Sequence, residues 1–115
     1  MLVSDELNLK NFIHPIAEAE LVFKLSRPLD REISASEAQD FVEELAPGIE
    51  VFDCRYGAID PFIDDAIADN ACAGAISIGD WVSAKLLDPV NATIAIFEGN
   101  QLKESVPATS IAGNP

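Results

Sequence analysis

The residues of this sequence best suited to chemistry are three glutamates, Glu18, Glu20 and Glu50. Glu18 and Glu20 are two positions apart, so on a β-strand they project from one face, about 7 Å apart at the backbone. Carboxylates held this close repel each other, and protonation, a basic partner or a shared cation relieves the repulsion. Mg²⁺ and Mn²⁺ prefer carboxylate oxygens. The spacing therefore predicts either a metal site or, as is common on a polar strand face, a solvated row of acids.

The segment around this pair has the alternating pattern of a β-strand. One parity is apolar and the other is mostly polar: Ala17, Ala19, Leu21, Phe23 and Leu25 against Glu18, Glu20, Val22 and Lys24. Successive side chains of a strand point to opposite faces, so the pattern predicts a strand over residues 17–25. We expect its apolar face to pack on a core and its opposite face to stay open.

A predicted helix separates this strand from the third glutamate. Ser34 and Glu37 have the spacing of a capping box, in which each side chain accepts a hydrogen bond from a backbone N–H of the other residue. Apolar residues at helical spacing extend the prediction to about Leu45, where a Pro-Gly pair follows. The next strand, residues 49–53, carries Glu50. A strand-helix-strand passage could place Glu50 beside the first two glutamates.

The rest of the chain predicts short strands and one more helical turn. The helical turn covers residues 61–67, and a strand follows at 75–78. Two further strands, 93–97 and 101–106, flank the hairpin signal Gly99-Asn100. Strands with one or two helices predict the α+β class with a mixed β-sheet.

The charge balance excludes some classes of partner. The chain has 20 acidic and 7 basic residues and a net charge of −13. Nucleic acids and anionic membranes are disfavoured, since both are bound mainly through clustered lysine and arginine. A carboxylate substrate would need a local reversal of the field, and a divalent cation would supply one. The same charge also simply favours solubility.

Four further polar residues and both cysteines admit ordinary structural interpretations. Asp53 and Arg55 can form a salt bridge, and Asp69-Asn70 is typical of a turn. The two cysteines, at positions 54 and 72, have no CxxC spacing, which predicts free buried thiols in a reducing cytosol. The sequence has no apolar run of membrane-spanning length and no signal-peptide pattern at its start, so we expect a soluble cytoplasmic protein.

Four segments, in order, resemble one enzyme family. They are HPIAEAELVFKL (14–25), APGIEVFDCR (46–55), IADNACAG (67–74) and IAGNP (111–115). The corresponding segments belong to the family of 2-oxopent-4-enoate hydratase and 2-oxo-3-hexenedioate decarboxylase, in the fumarylacetoacetase-like superfamily. The resemblance runs from about Leu7 onward. It implies that the sheet is part of that superfamily's β-roll and that residues 1–115 are a single partial domain, the central segment of the fold.

The resemblance also implies a site. It assigns Glu18, Glu20 and Glu50 as the three carboxylate ligands of one Mg²⁺ or Mn²⁺. It implies that four polar residues build or brace the catalytic pocket, namely Asp53, Arg55, Asp69 and Asn70. In that family the cation chelates the carboxylate and the 2-oxo or enol oxygen of a small dienoic acid and stabilises the developing enolate.

The sequence departs from the family pattern in ways that leave two functions open. Ile16 and Ala17 stand where the family has an arginine and an aliphatic residue, and the family's upstream catalytic lysine and closing strands have no counterpart here; Lys10 does not match that lysine. One function is a metal-dependent hydratase or decarboxylase of small 2-oxo or 2-hydroxydienoic acids in aromatic-compound degradation, incomplete as this chain. The alternative is a non-catalytic metal- or ligand-binding or assembly module. A fragment without any remaining site is the third interpretation.

Sheet edges that the family's closing strands would cover invite self-association. We therefore expect a homo-oligomer or a complementing partner chain.

Overall fold

The computed structural model describes residues 2–3, 6–57 and 60–110, so the fourth segment that resembles the family, 111–115, lies outside the described residues. The strands are β1 (Leu2–Val3), β2 (Ile16–Leu25), β3 (Val42–Phe52), β4 (Ala73–Ile78), β5 (Val82–Ser83), β6 (Thr93–Glu98) and β7 (Gln101–Pro107). The α-helices are α1 (Ala35–Ala38) and α2 (Ile63–Ala68). Five single turns of 3₁₀-helix lie at Leu9–Asn11, Gln39–Phe41, Asn70–Cys72, Pro89–Asn91 and Ala108–Ser110. No helix in these ranges is long and apolar enough to cross a membrane.

Five of the strands form one mixed sheet. The strand order is β1-β4-β3-β2, and β5 also pairs with β3. β1 runs parallel to β4, whereas β3 runs antiparallel to both β4 and β5. β6 and β7 form a separate antiparallel hairpin. The predicted α+β class with a mixed sheet is confirmed.

The chain divides into two compact units. The first unit consists of Met1–Glu20 and Gly48–Ile78, and the second of Leu21–Pro47 and Gly79–Pro115. β2 and β3 each contribute residues to both units. That residues 1–115 form a single partial domain stays a prediction.

The predicted helix from Ser34 is right at its start and wrong at its end. The capping box forms, because the Glu37 carboxylate accepts a hydrogen bond from the Ser34 backbone N–H at 2.9 Å. The α-helix ends at Ala38, however, and β3 begins at Val42. Leu45, predicted to be helical, is instead paired with β5 and only 2% exposed. The apolar spacing that predicted a helix here also fits a short buried strand. Sheet pairing and burial decide in favour of the strand.

Two other strand predictions had different outcomes. The hairpin is confirmed, with Glu98 opposite Gln101 across the two-residue turn. The strand at 17–25 is confirmed by β2, but its expected burial is wrong. Every residue of β2 is exposed or half-buried, and Phe23 and Leu25 are 36% and 44% exposed. β2 is last in the strand order, so only β3 flanks it within the described sheet.

The core of the first unit consists of small residues. Val51, Cys54, Cys72, Ala73 and Ala75 are all buried. Gly74 in β4 lies close to β3, since a Cβ atom there would lie 3.0 Å from the Val51 carbonyl oxygen and 3.2 Å from Asp53 Cβ. Such contacts are too close for an unstrained methyl group, so glycine at this position allows β3 and β4 to meet.

Candidate metal site

The three glutamates of the sequence prediction lie together in the first unit. Glu18 and Glu20 come from β2 and Glu50 from its sheet neighbour β3. One carboxylate oxygen from each residue lies within 4.8 Å of the others. Glu18 is exposed, whereas Glu20 and Glu50 are half-buried. We call these three residues the open cluster. The structure brings its members together, and their role as ligands stays a prediction.

The open cluster concentrates negative charge. The pKa of Glu20 is raised above its usual range by burial, and further by repulsion from Glu50 and Glu18. The pKa of Glu50 is raised by burial and by Glu18. In the described ranges, no lysine or arginine forms an ion pair with any of the three. The arrangement is therefore electrostatically unfavourable by itself, and a cation would reverse the sign of the interaction.

The donor set fits a hard divalent cation. Mg²⁺ requires oxygens at about 2.0–2.1 Å in octahedral geometry, which places ligand oxygens about 3 to 4 Å apart. The three glutamate oxygens lie within 4.8 Å of one another, which is close to this spacing. Three protein oxygens leave about three octahedral positions for water or for oxygens of an organic acid. Glu18, Glu20 and Glu50 would hold the ion.

Asp53, one of the predicted pocket residues, is committed to the backbone. It is 6% exposed and follows directly after β3. Its Oδ1 accepts hydrogen bonds from the N–H groups of His14 at 2.7 Å and Ile13 at 2.9 Å. Its Oδ2 accepts a further bond from Ile13 at 3.0 Å. The carboxylate thus clamps the backbone that leads into β2.

Arg55 and Asp69, also predicted pocket residues, form a second closed network. Asp69 is 7% exposed, and its Oδ2 accepts the Arg55 backbone N–H at 2.8 Å. Arg55 Nη1 donates to Asp69 Oδ1 at 2.6 Å, and Nη2 donates to the Ala73 carbonyl at 3.1 Å. The backbone hydrogen bond from Arg55 and then its guanidinium lower the pKa of Asp69. We call Asp53 and Asp69 the braced carboxylates.

Asn70, the fourth predicted pocket residue, directly follows Asp69. It is exposed and has a positive φ of 54°. Ala71 and Cys72 follow with φ of 55° and 59°, so three consecutive residues lie in the left-handed region. Such a run is strained for residues with a Cβ and persists where neighbouring contacts hold it. A catalytic role for any of these four residues stays a prediction.

One cluster was missed by the sequence interpretation. Both cysteines are buried free thiols, as expected, but they also lie together with Asp69, with one atom of each within 4.8 Å of the others. Burial, and then Cys54, raise the pKa of Cys72 to about 12. Because both Asp69 oxygens already accept hydrogen bonds from Arg55, this cluster is best explained as packing.

Comparisons with known proteins agree with the resemblance. No protein-family model matches the chain. A 4-oxalocrotonate decarboxylase of a Pseudomonas species is 29% identical over 110 residues, which is 96% of this chain and 43% of the relative. The TodF product hydratase of Pseudomonas putida strain F1 is 34% identical over 76 residues, 65% of this chain and 28% of the relative. The chain thus spans less than half the length of the curated relatives it matches.

A solved structure has the same fold. The 4-oxalocrotonate decarboxylase from Pseudomonas putida G7, complexed with magnesium and adipate, superposes with a TM-score of 0.83 at 20% identity. The match covers 98% of this chain and 42% of that protein. Together with the two sequence relatives, it supports the resemblance to the family of 2-oxopent-4-enoate hydratase and 2-oxo-3-hexenedioate decarboxylase.

Proposed function

We propose that the open cluster binds one Mg²⁺ or Mn²⁺, and that this ion serves a hydratase or decarboxylase of small 2-oxo or 2-hydroxydienoic acids. The observation that carries the proposal is the convergence of three glutamate oxygens within 4.8 Å from two neighbouring strands. The relatives support it, since one is a decarboxylase, one is a hydratase, and the solved structure holds magnesium and adipate. Degradation of aromatic compounds is the metabolic role that the family implies.

The chemistry follows from what these residues can do at the site. Glu18, Glu20 and Glu50 would hold the cation, which when bound supplies Lewis-acid polarisation of a ligand oxygen. Their charge must be neutralised before an anionic acid can approach, because the chain has a net charge of −13. The positions that three ligands leave open suit the two oxygens of a 2-oxo acid. The braced carboxylates hold the backbone around this site through hydrogen bonds to each of their oxygens.

We propose further that residues 1–115 are a partial domain of the fumarylacetoacetase-like β-roll. The length of the relatives supports this, because this chain covers 43% and 28% of them. Large apolar side chains are also strongly exposed, among them Phe62 at 83% and Ile63 at 72% in the first unit and Leu86 at 81% in the second. Further β-roll strands, another copy of the chain or a complementing partner chain would cover them.

The same exposure favours a second candidate, a metal-binding assembly module without turnover of its own. Under this alternative the open cluster still binds the ion, while catalytic groups come from a partner chain. Turnover of a 2-hydroxy-2,4-dienoate by the isolated chain would exclude the module. If the isolated chain binds the metal without turnover, and turnover appears when a partner chain is added, the self-sufficient enzyme is excluded.

The metal site is tested by Mn²⁺ calorimetry on the wild type and on Glu20→Gln. We expect the variant to bind Mn²⁺ at least about tenfold more weakly, because one of three charged ligands becomes neutral. Glu104→Gln is the matched control, since this exposed glutamate lies on the separate β6–β7 hairpin. Its affinity should equal that of the wild type. Absence of binding in all three proteins, or equal binding in all three, would refute the site.

A further inference from the structure

We propose that Asp53 is a positioning residue for the metal site, because it fixes the register of β2 and so the placement of Glu18 and Glu20 beside Glu50. The inference rests on the proposed metal site. It concerns a residue that does not touch the ion, and it assigns Asp53 a role through the backbone and not as an acid or base.

β2 needs such a device because its own sequence specifies its register weakly. Strand register is normally set by the face that is buried, since a slip of one residue turns every side chain to the opposite face. No residue of β2 is buried, and β2 is the last strand in its sheet. A slip of one residue would present Ala17 and Ala19 where the ligands belong. The metal site therefore depends on contacts that prevent β2 from shifting along its own axis relative to β3.

The described contacts hold β2 at both ends. Beyond its C-terminal end, the Ser26 N–H donates to the Phe41 carbonyl at 2.8 Å, within the second unit. Before its N-terminal end, the Asp53 carboxylate accepts the N–H groups of Ile13 and His14 at 2.7 to 3.0 Å, within the first unit. The half of β2 that carries Glu18 and Glu20 is the half next to the Asp53 clamp.

Asp53 is well placed to relate the two ligand-bearing strands. It lies three positions after Glu50 and directly follows the end of β3. Its own N–H donates to the Cys72 carbonyl at 2.8 Å, which anchors Asp53 to the segment that leads into β4. The side chain therefore joins the end of β3 to the start of β2, so the spacing between ligands from the two strands is fixed by hydrogen bonds to the Asp53 side-chain oxygens.

The first test compares two substitutions at Asp53 by Mn²⁺ calorimetry. Asp53→Ala removes both acceptor oxygens, and we expect Mn²⁺ binding to weaken by about tenfold or more, as when outer-shell partners of ligands are lost. Asp53→Asn keeps one acceptor oxygen, and it should restore binding to within about threefold of the wild type. Cys54→Ala is the control, because this neighbour is equally buried and its side chain takes no part in the clamp.

The outcomes separate the possible roles. Wild-type affinity in Asp53→Ala would overturn the proposal, as would an equal loss in Asp53→Ala and Asp53→Asn, since that result would mean that the charge and not the clamp matters. An equal loss in Cys54→Ala would mean that general destabilisation explains the effect, and would also overturn it. If the wild type binds no Mn²⁺, the proposed metal site fails and the positioning role fails with it.

A measurement on the unmodified chain tests the proposal even if Asp53→Ala does not fold. Coupling between two sites is reciprocal, so a clamp that favours metal binding must itself be tightened by the metal. We expect Mg²⁺ to slow amide hydrogen exchange at Ile13 and His14, measured by NMR, by about threefold or more. The Glu98 amide, on the separate hairpin, should not change. Bound Mg²⁺ without any change at Ile13 and His14 would overturn the proposal.

Discussion

The open cluster and the braced carboxylates lie in the same compact unit and are held in opposite ways. Glu20 and Glu50 are half-buried, their negative charges repel, and their pKa values are raised. Asp53 and Asp69 are more deeply buried, yet their oxygens accept several N–H groups, and the pKa of Asp69 is lowered. Buried carboxylates are tolerated when their hydrogen bonds are satisfied and are costly when they are not. The difference separates acids that brace the backbone from acids whose mutual repulsion the proposed cation would offset.

The largest expected effect comes from disturbing the packing around the braced carboxylates. Gly74→Ala would place a methyl group 3.0 Å from the Val51 carbonyl and 3.1 Å from the Phe12 ring, with Asp53 Cβ at 3.2 Å. Since the carbonyl belongs to the β3 backbone and cannot rotate away, we expect about 2 kcal/mol of destabilisation from overpacking. Urea denaturation measures it.

We also expect Gly74→Ala to weaken Mn²⁺ binding, because the new methyl group would displace Asp53. The carboxylate of Asp53 holds the backbone just before β2. Cys54→Ala, which removes volume from the same core, should lower stability and leave Mn²⁺ affinity unchanged. If Gly74→Ala has the same urea midpoint of unfolding as the wild type, the close contacts at this glycine do not affect stability. The expected overpacking would then be wrong.

A smaller effect of opposite sign is expected in the left-handed segment beside Asp69. Ala71 has φ of 55°, which costs a residue with a Cβ about 1 kcal/mol relative to glycine. Ala71→Gly should therefore stabilise the chain by up to about 1 kcal/mol, less the additional entropy of glycine in the unfolded state. The midpoint of thermal unfolding measures this change.

The matched control is Ala73→Gly in β4, where φ is −68° and glycine brings no relief. That variant should destabilise, since glycine weakens a strand. Equal destabilisation in both variants would show that the left-handed geometry at Ala71 is not strained.

The contrast between the two kinds of carboxylate explains how much the sequence could predict. The alternation around Glu18 and Glu20 predicts β2, and the family resemblance predicts that Glu50 joins them. Neither can predict the Asp53 clamp, because its partners are backbone N–H groups, which every residue except proline carries. Likewise, the spacing around Leu45 fits a helix and a strand alike, and only pairing with β5 decides between them. Local pattern predicts which side chains share a face, whereas contacts between distant backbone segments lie outside its reach.

The smallest expected effect is on the open cluster itself and depends on pH. The folded pKa values of Glu20 and Glu50 lie above the ordinary 4.5, so the folded chain binds these protons more tightly than the unfolded chain. Their contribution to the free energy of unfolding is therefore present below pH 4.5 and is lost as pH rises through the raised pKa values. Asp69 has the opposite sign, because its lowered pKa gives a contribution that is lost as pH falls below its ordinary 3.8.

Glu20→Gln isolates the contribution of the open cluster. Without divalent metal at pH 7, we expect this variant to be more stable than the wild type by about 0.5 kcal/mol, a small value because solvent screens half-exposed charges. The gain should vanish below pH 4.5, where Glu20 of the wild type is protonated as well. With Mg²⁺ the order should reverse, because an ion that binds only the folded state stabilises the protein with the stronger site. Denaturation curves across pH, with and without Mg²⁺, measure all three effects. A variant less stable than the wild type in metal-free buffer would mean that the three glutamates do not repel, and that the open cluster is a solvated strand face.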